Sequence, residues 1–433
     1  MSLPLTIFVL MFILTMLLRI PIAFGMIMSS IFYFAFATGP NVQISMEANQ
    51  FLSKMNVSFI LLAVPLYIFA ANIMNTSEVT ELIFRFANAL VGRWKGGVGH
   101  VNVVNSLIFS GMTGSAVADA AGPGIMEIEA MRKCGYEDSF SCALTAASAT
   151  IGPIFPPSIP MVFYSLLSGA SVGALFMGGM LPGVLMAIFL MFYVSYISNK
   201  RNYPTGVRVG FRAFVRDTLH ALPALLTPVI LLGSIYSGVV TPTEAGALAS
   251  LWALVISVAV YRSLGWRQLV EVLKSTAKTT GTVSIIVGAA FSFSYIVAIE
   301  QIAPAVAQMF LTVTTNKYVF LFIVNVLFLF LGMVMDTMPI MFVFVPIVLP
   351  IANQLGIDLV HFGVVIVLNM MIGLLTPPYG VLLFVMSGIS KTPLKPIIIE
   401  TLPMTAVLIA LLFLMTYVPE IVLFVPRMFG QLR

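Results

Sequence analysis

The sequence predicts an all-α polytopic membrane protein of two inverted-topology repeats, each of about five transmembrane helices plus one re-entrant helical hairpin. Three observations predict it. The 433-residue chain is 60% hydrophobic and only 9% charged, where an ordinary soluble chain carries about 25% charged residues. A set of Gly and Pro landmarks recurs at one fixed offset. The Lys and Arg residues, finally, gather on one side of the topology that this recurrence demands.

Charge-free runs such as LPLTIFVLMFILTMLL (3–18) and VSIIVGAAFSFSYIVAI (283–299) set the class. The first reads as a retained span that starts outside. No Lys or Arg precedes it, and Arg19 follows where a small-residue cleavage site would stand in a signal peptide. The net charge of +5 needs only basic cytoplasmic loops. No basic patch interleaved with aromatics occurs, which excludes nucleic acid as a partner. Cys134 and Cys142, the only cysteines, lie eight apart in one helical region. They indicate neither a disulfide nor a metal site and read as packing residues.

The stretch TIGPIFPPSIP (150–160) carries four prolines, and no continuous helix runs through them. It has an echo in MIGLLTPPYGV (371–381). Gly152 pairs with Gly373, Pro156 with Pro377 and Pro157 with Pro378, each 221 positions apart. The same offset joins Pro21 to Pro242, Gly25 to Gly246, Gly111 to Gly332, Gly135 to Gly356 and Pro182 to Pro403. The chain therefore divides into a first unit, 1–198, a linker, 199–217, and a second unit, 218–433.

Lys200, Arg201, Arg208, Arg212 and Arg216 make the linker cytoplasmic, with Asp217 alone opposing them. A first unit that starts outside and ends inside crosses an odd number of times, so the second must be inverted. Five crossings per unit fit: about 3–18, 22–38, 57–75, 138–168 and 172–198, then 222–239, 243–261, 282–299, 359–389 and 402–419. Both termini are then periplasmic. Of the 21 basic residues, only Lys54, Lys317, Arg427 and Arg433 fall outside. Arg19, Arg85, Arg93, Lys95, Arg132, Lys133, the linker residues, Arg262, Arg267, Lys274, Lys278, Lys391 and Lys395 fall inside.

Each unit has an apolar piece left over. Residues 98–110 would span about 20 Å as a helix, short of a hydrocarbon core of about 30 Å. SGMTGS (110–115) then interrupts it, and its basic flanks, Arg93 and Lys95 before and Arg132 and Lys133 after, lie on one side. That is a hairpin over about 98–132 with its tip at mid-depth. Its partner covers about 318–353, with the tip LGMVMDT (331–337), entered from the opposite face.

Interrupted helices near the midplane are how secondary transporters build ion and substrate sites, because an unwound segment frees carbonyls to ligate a cation. One cation is expected between the first tip and the Pro-rich break, on Thr113 and Ser115 with the carbonyls of Gly152, Phe155 and Pro157. A second is expected on Gly332, Asp336, Gly373, Thr376 and Pro378. Oxygen-only ligands suit a hard ion. The competing reading is close packing of small residues. Asp119 and Asp336 are acids inside apolar hairpins and default to function, although either could cap a helix. TPTE (241–244) reads as a capping box, which gives Glu244 a structural role. His100, His220 and His361 have no acid or nucleophile at useful spacing. No GxxxxGK[ST] occurs, so ATP hydrolysis is excluded, and no nucleophile–base set suggests an enzyme.

At SGMTGSAVADAAGPG, GPIFPPSIPM and TPTEAGA the sequence resembles the large membrane subunit of TRAP transporters, the DctM family, over essentially the whole chain. The resemblance implies an elevator-type secondary transporter of the ion-transporter superfamily, in the bacterial inner membrane. Its scaffold and transport domains would each be drawn from both repeats. It implies Na⁺-coupled uptake of an organic acid, with a small four-helix membrane subunit and a periplasmic substrate-binding protein as partners. No four-span block precedes residue 1, so the small subunit is expected as a separate chain. The family's sodium sites fall on the ten residues just named, and Asp119 and Ser171 fall near the organic-acid site. Phe155 departs from the smaller residue usual there, which a carbonyl ligand tolerates. Among substrates the resemblance leans to sialic acid over C4-dicarboxylates. An autonomous carboxylate carrier of the same superfamily, a channel and an intramembrane enzyme are the alternatives.

Overall fold

The computed structural model describes residues 2–18, 20–37, 44–57, 59–206, 209–313 and 315–431. Arg19, Arg208, Arg433 and the side chain of Lys54, used above to assign sidedness, lie outside the described residues.

Helices succeed one another from end to end. The first half contains α1 (Leu3–Leu17), α2 (Ile22–Phe36), α3 (Ser45–Val57), a 3₁₀ turn (Phe59–Leu62), α4 (Ala63–Thr76) and α5 (Val79–Val91). It continues with α6 (Gly97–Thr113), α7 (Ala116–Ala121), α8 (Pro123–Lys133), α9 (Asp138–Ala149), α10 (Ile159–Ser168) and α11 (Val172–Lys200). The second half contains α12 (Phe211–Tyr236), α13 (Pro242–Val255) with a π-helical end, α14 (Trp266–Ile299), α15 (Ile302–Val313) and α16 (Lys317–Gly332). It ends with α17 (Thr337–Gln354), α18 (Leu359–Gly373), α19 (Val381–Ser390), α20 (Leu394–Tyr417) and α21 (Glu420–Met428). Among the described residues no strand forms; one isolated bridge pairs Lys95 with Thr205.

Side chains fix many of these boundaries. Ser2 caps α1 by accepting from Leu5 N, and Asp358 caps α18 by accepting from Val360 N and His361 N. Thr241 and Glu244 form the expected capping box with Pro242 at the helix start, so Glu244 has the structural role read from TPTE. Such caps satisfy backbone donors that a helix end leaves without partners.

Among the described residues, seven helical segments are long and apolar enough to cross a membrane, counting the 3₁₀ turn with α4 and the π-helical end with α13. The 34 residues of α14 extend about 50 Å at ~1.5 Å per residue, so the crossing read at 282–299 is only its second half. The crossing at 57–75 divides into the 3₁₀ turn and α4, and α12 begins inside the stretch assigned to the linker. Sequence reading also missed α3, α5, α15 and α21. Of these α5 was visible: Val79, Ile83, Ala87 and Val91 recur every four residues and are buried, while Glu81 and Arg85 pair on the outer face. Cys142 is buried as expected, but Cys134 is exposed at the end of α8.

Two sets of helices pack preferentially among themselves. One comprises α1 to α4 with α12 to α14; the other comprises α6 to α11 with α16 to α21. Helix α5 touches both through α6 and α12, and α17 reaches α14 and α15. Exposed apolar side chains cover the outer faces, for example Leu10, Leu14 and Leu17 on α1 and Val319, Phe322, Val326 and Phe330 on α16. A monomer in water rarely exposes such rows; hydrocarbon accommodates them.

Two hairpin tips around one cavity

At the first tip, α6 runs through Thr113, and the interruption is shorter than SGMTGS suggested. Gly114 takes a left-handed φ of +60°, and a Cβ there would run into the Pro157 carbonyl oxygen. Only glycine fits that combination of backbone and neighbour. The Ile159 N–H donates to Gly114 O at 3.4 Å, joining the tip to the break. Ser115 then caps α7, accepting from Ala118 N, so the residue expected to cap there is not Asp119, which lies inside α7.

The break itself separates α9 from α10 and is closed by Ser158. That hydroxyl donates to Pro153 O and accepts from Met161 N at 3.2 Å. Gly152 faces the tip: a Cβ on it would meet Ser115 O at 3.5 Å. The first-site residues Thr113, Ser115, Gly152 and Pro157 are thus brought together around Gly114. Phe155 points elsewhere, its ring against Gly183 and Gly111.

The second tip has the same parts in a looser form. Helix α16 ends at Gly332, residues 333–335 turn, and Asp336 caps α17 by accepting from Thr337 N at 2.8 Å. Gly332 and Gly373 pack backbone to backbone; a Cβ on Gly373 would lie 2.5 Å from the Gly332 Cα. The Tyr379 N–H donates to Met333 O at 3.1 Å. Thr376 turns its hydroxyl to Ile372 O at 2.8 Å, and Pro378 is exposed. Pro156–Pro157 and Pro377–Pro378 are both cis peptides.

A cavity of about 430 Å³ opens between the tips. Thr113 to Ala118 line it from the first hairpin, Asp336 to Met338 from the second, and Pro153, Ile159 and Pro160 from the first break. Thr113, Ser115, Thr337 and Asp336 are the oxygen-bearing side chains on these linings. Thr113 makes only a long 3.5 Å contact to Phe109 O, which leaves its lone pairs available. This donor set fits a hard monovalent cation. No group of three or more His, Cys, Asp or Glu gathers as a metal site among the described residues.

The opposite wall adds two polar residues that sequence reasoning passed over, Asn72 of α4 and Thr279 of α14. Asn72 is held by a 3.0 Å bond to the Thr276 hydroxyl. Their signal was an amide and a run of threonines inside otherwise apolar helices.

The two residues assigned to the organic acid are not brought to the cavity. Ser171 is at the far end of the ten-residue α10, about 15 Å along the helix from Ile159 at ~1.5 Å per residue, where it caps α11 by accepting from Ala174 N. Asp119 is 2% exposed, on the inward face of α7. It neighbours a buried polar network that sequence reading also missed. Glu127 accepts from Asn102 at 2.8 Å and from Asn105 at 2.6 Å. Asn102 also donates to Thr145 and accepts from Ser148, which is bonded in turn to Ser106. Asn102, Asn105 and Ser106 lie three and four residues apart, on one face of α6. In the second half the matching place holds a neutral triad, Asn369 donating to Asn325 and Asn325 to Thr416.

Comparison with known proteins gives the arrangement its context. Residues 9–421 match the family described as the tripartite ATP-independent periplasmic transporter, DctM component. The chain is 41% identical over 409 residues to the sialic acid TRAP transporter large permease protein SiaM of Vibrio cholerae, covering 94% of this chain and 95% of that one. It is 34% identical over 380 residues to the C4-dicarboxylate TRAP transporter large permease protein DctM of Pseudomonas aeruginosa, covering 88% and 89%. The Alcanivorax borkumensis YdaH transporter structure superposes with a TM-score of 0.63 over 96% of this chain and 98% of that one. At 13% identity that likeness concerns the fold.

Proposed function

This chain belongs to the DctM component family of tripartite ATP-independent periplasmic transporters, a multi-pass membrane permease and not an enzyme, and on that premise we propose that it drives Na⁺-coupled uptake of an organic acid. The observation that carries the reading is the shared cavity, which both hairpin tips face with oxygen ligands only. One sodium ion binds between the first tip and its break, through Thr113, Ser115 and carbonyls of Gly152, Phe155 and Pro157. Another binds between the second tip and its break, through Asp336 and carbonyls of Gly332, Gly373, Thr376 and Pro378.

The mechanism follows from where the tips sit. Each tip touches its break through backbone contacts at glycine, so an ion bridging tip and break holds the hairpin down. With both ions in place the cavity presents fixed hydroxyls and the N-terminus of α17 to a carboxylate. Asn72 and Thr279 supply hydrogen bonds from the other wall. Without the ions the Asp336 charge repels the anion, and coupling results.

The helix set of α6 to α11 and α16 to α21 then moves as the transport domain against a scaffold of the remaining helices, an elevator stroke. The two halves, 1–198 and 218–433, are inverted about the membrane plane, with both termini periplasmic. The organic acid is of the sialic acid or C4-dicarboxylate class, since relatives bearing both names match. A periplasmic binding protein delivers it, and a small four-helix subunit joins the scaffold in the inner membrane.

Reconstitution tests this. Proteoliposomes holding the chain, its small subunit and its binding protein should accumulate the acid only under an inward sodium gradient. Uptake of equal rate under a potassium gradient would overturn sodium coupling, and uptake by the chain alone would make it an autonomous carrier.

A further inference from the structure

The network behind the first tip contains acceptors without a hydrogen-bond partner among the described residues. Glu127 is complete as a carboxylate, with one amide donor on each oxygen. Asp119 is not: both of its oxygens lack a hydrogen-bond partner, as does Asn105 Oδ1. Asp119 is 2% exposed and Asn105 0% exposed. Ser106 lies beside the Asp119 carboxyl, and its hydroxyl is bonded to Ser148 at 3.1 Å. Three buried oxygens, two of Asp119 and one of Asn105, are thus left without a donor, Asp119 beside Ser106 and next to the Glu127 carboxylate that Asn105 holds.

With Asp119 ionised, such a cluster requires positive charge. An ionised carboxylate taken from water into a protein interior costs several kcal/mol without a partner, and Glu127 is an electrostatic neighbour of the same sign. Among the described residues, no basic side chain on the elements packed against α7 is placed to neutralise the pair. Of the elements packed on α7, α6 carries only His100, at its far end and in contact with Ser195. Helix α8 carries Glu127, exposed Glu129, and at its end Lys133 and Arg132, the latter bonded to Asp138 and to Ser390 O. Helix α9 carries that Asp138 and Cys142, and α19 carries no titratable group. The charge must come from solution. The cavity reaches the same short helix, where Ala116, Val117 and Ala118 line it.

We propose that Asp119, Asn105 Oδ1 and the Ser106 hydroxyl form a further sodium site inside the first hairpin, behind the two at the tips. The ligands are hard oxygens, one carboxylate and two neutral groups, as a monovalent ion of that size takes. Glu127 acts as a positioning residue, holding Asn105 by its amide so that the carbonyl oxygen points inward. The proposal rests on the sodium-coupled reading above but concerns a different set of atoms.

The test counts radiolabelled sodium ions bound per chain at saturation, on the purified full chain in nanodiscs. Asp119→Asn should bind one ion fewer than the parent, and Ser115→Ala and Asp336→Asn should still show their own losses. If Asp119→Asn binds as many ions as the parent while the tip variants bind fewer, this site falls and the tip sites stand. If the parent binds no sodium, both fall. Should Asp119→Asn not be recovered folded, Ser106→Ala carries the same test through a half-saturation raised roughly fivefold, the worth of about 1 kcal/mol; an unchanged half-saturation overturns the site. Infrared spectroscopy of the sodium-saturated parent must also lack a protonated carboxyl band assignable to Asp119. Such a band, absent from Asp119→Asn, would replace the sodium ion with a proton and overturn the proposal.

Discussion

The two hairpins repeat one plan with different chemistry. Both turn on a helix cap at equivalent positions, Ser115 and Asp336, and both rest on a proline-rich break through glycine. The first tip is short and buried, its break closed by Ser158, and its second arm divides at Gly122 over the Glu127 network. The second tip has a longer turn, a charged cap at the cavity, an exposed Pro378 and an uninterrupted second arm, and a neutral triad braces its first arm. Geometry is held in common, then, while polarity is divided: buried charge in the first hairpin, cavity-lining charge in the second.

The largest effect should come from breaking the charged network. Glu127→Leu strands the amides of Asn102 and Asn105 at a cost of roughly 1–3 kcal/mol each. Asn369→Leu in the neutral triad leaves one Asn325 acceptor bare, again roughly 1–3 kcal/mol but once. Thermal unfolding in detergent should therefore show the first variant falling further than the second; equal losses would erase the contrast.

Next come the glycine contacts. Gly114→Ala and Gly373→Ala force tip from break and should abolish sodium-driven uptake. Gly135 supplies the control. It has φ +81°, but a Cβ added to it would meet nothing within 4 Å. Gly135→Ala should therefore cost only the left-handed backbone term of about 1–2 kcal/mol and keep its uptake.

Smaller shifts separate the two caps. Asp336→Asn removes a charged ligand, worth about 1.5–3 kcal/mol, and should raise the sodium half-activation of uptake roughly tenfold or more. Ser115→Ala removes a neutral one, about 1 kcal/mol, and should raise it roughly fivefold. Smallest of all, Arg85→Ala breaks an exposed pair with Glu81 and should change stability by less than about 0.5 kcal/mol, with sodium activation untouched.

Much of this was legible in the residues alone, for physical reasons. Proline and glycine act on the backbone locally, so the breaks at 150–158 and 374–380 and both tips could be read from residue type and register. Charge in an apolar run is equally local, which is why Asp336 drew notice. Glu127 escaped because it follows the hairpin's glycines near the basic flank and looks like a surface residue; only its contact with two asparagines 22 and 25 residues earlier reveals it. Asn72 and Thr279 belong to helices of the opposite packing set, and their approach to the tips is a tertiary fact. Ser171 was placed by resemblance, which carries a residue's register but not its distance from the cavity.

One measurement bears most directly on the claim that both tips serve one ion-closed cavity. Val117→Cys and Met338→Cys, each in a background with Cys134 and Cys142 replaced by serine, can be labelled in sealed vesicles of known orientation. Both positions should react with a membrane-impermeant maleimide from the same face, and sodium but not potassium should slow both. Reaction from opposite faces, or rates indifferent to sodium, would contradict the shared site.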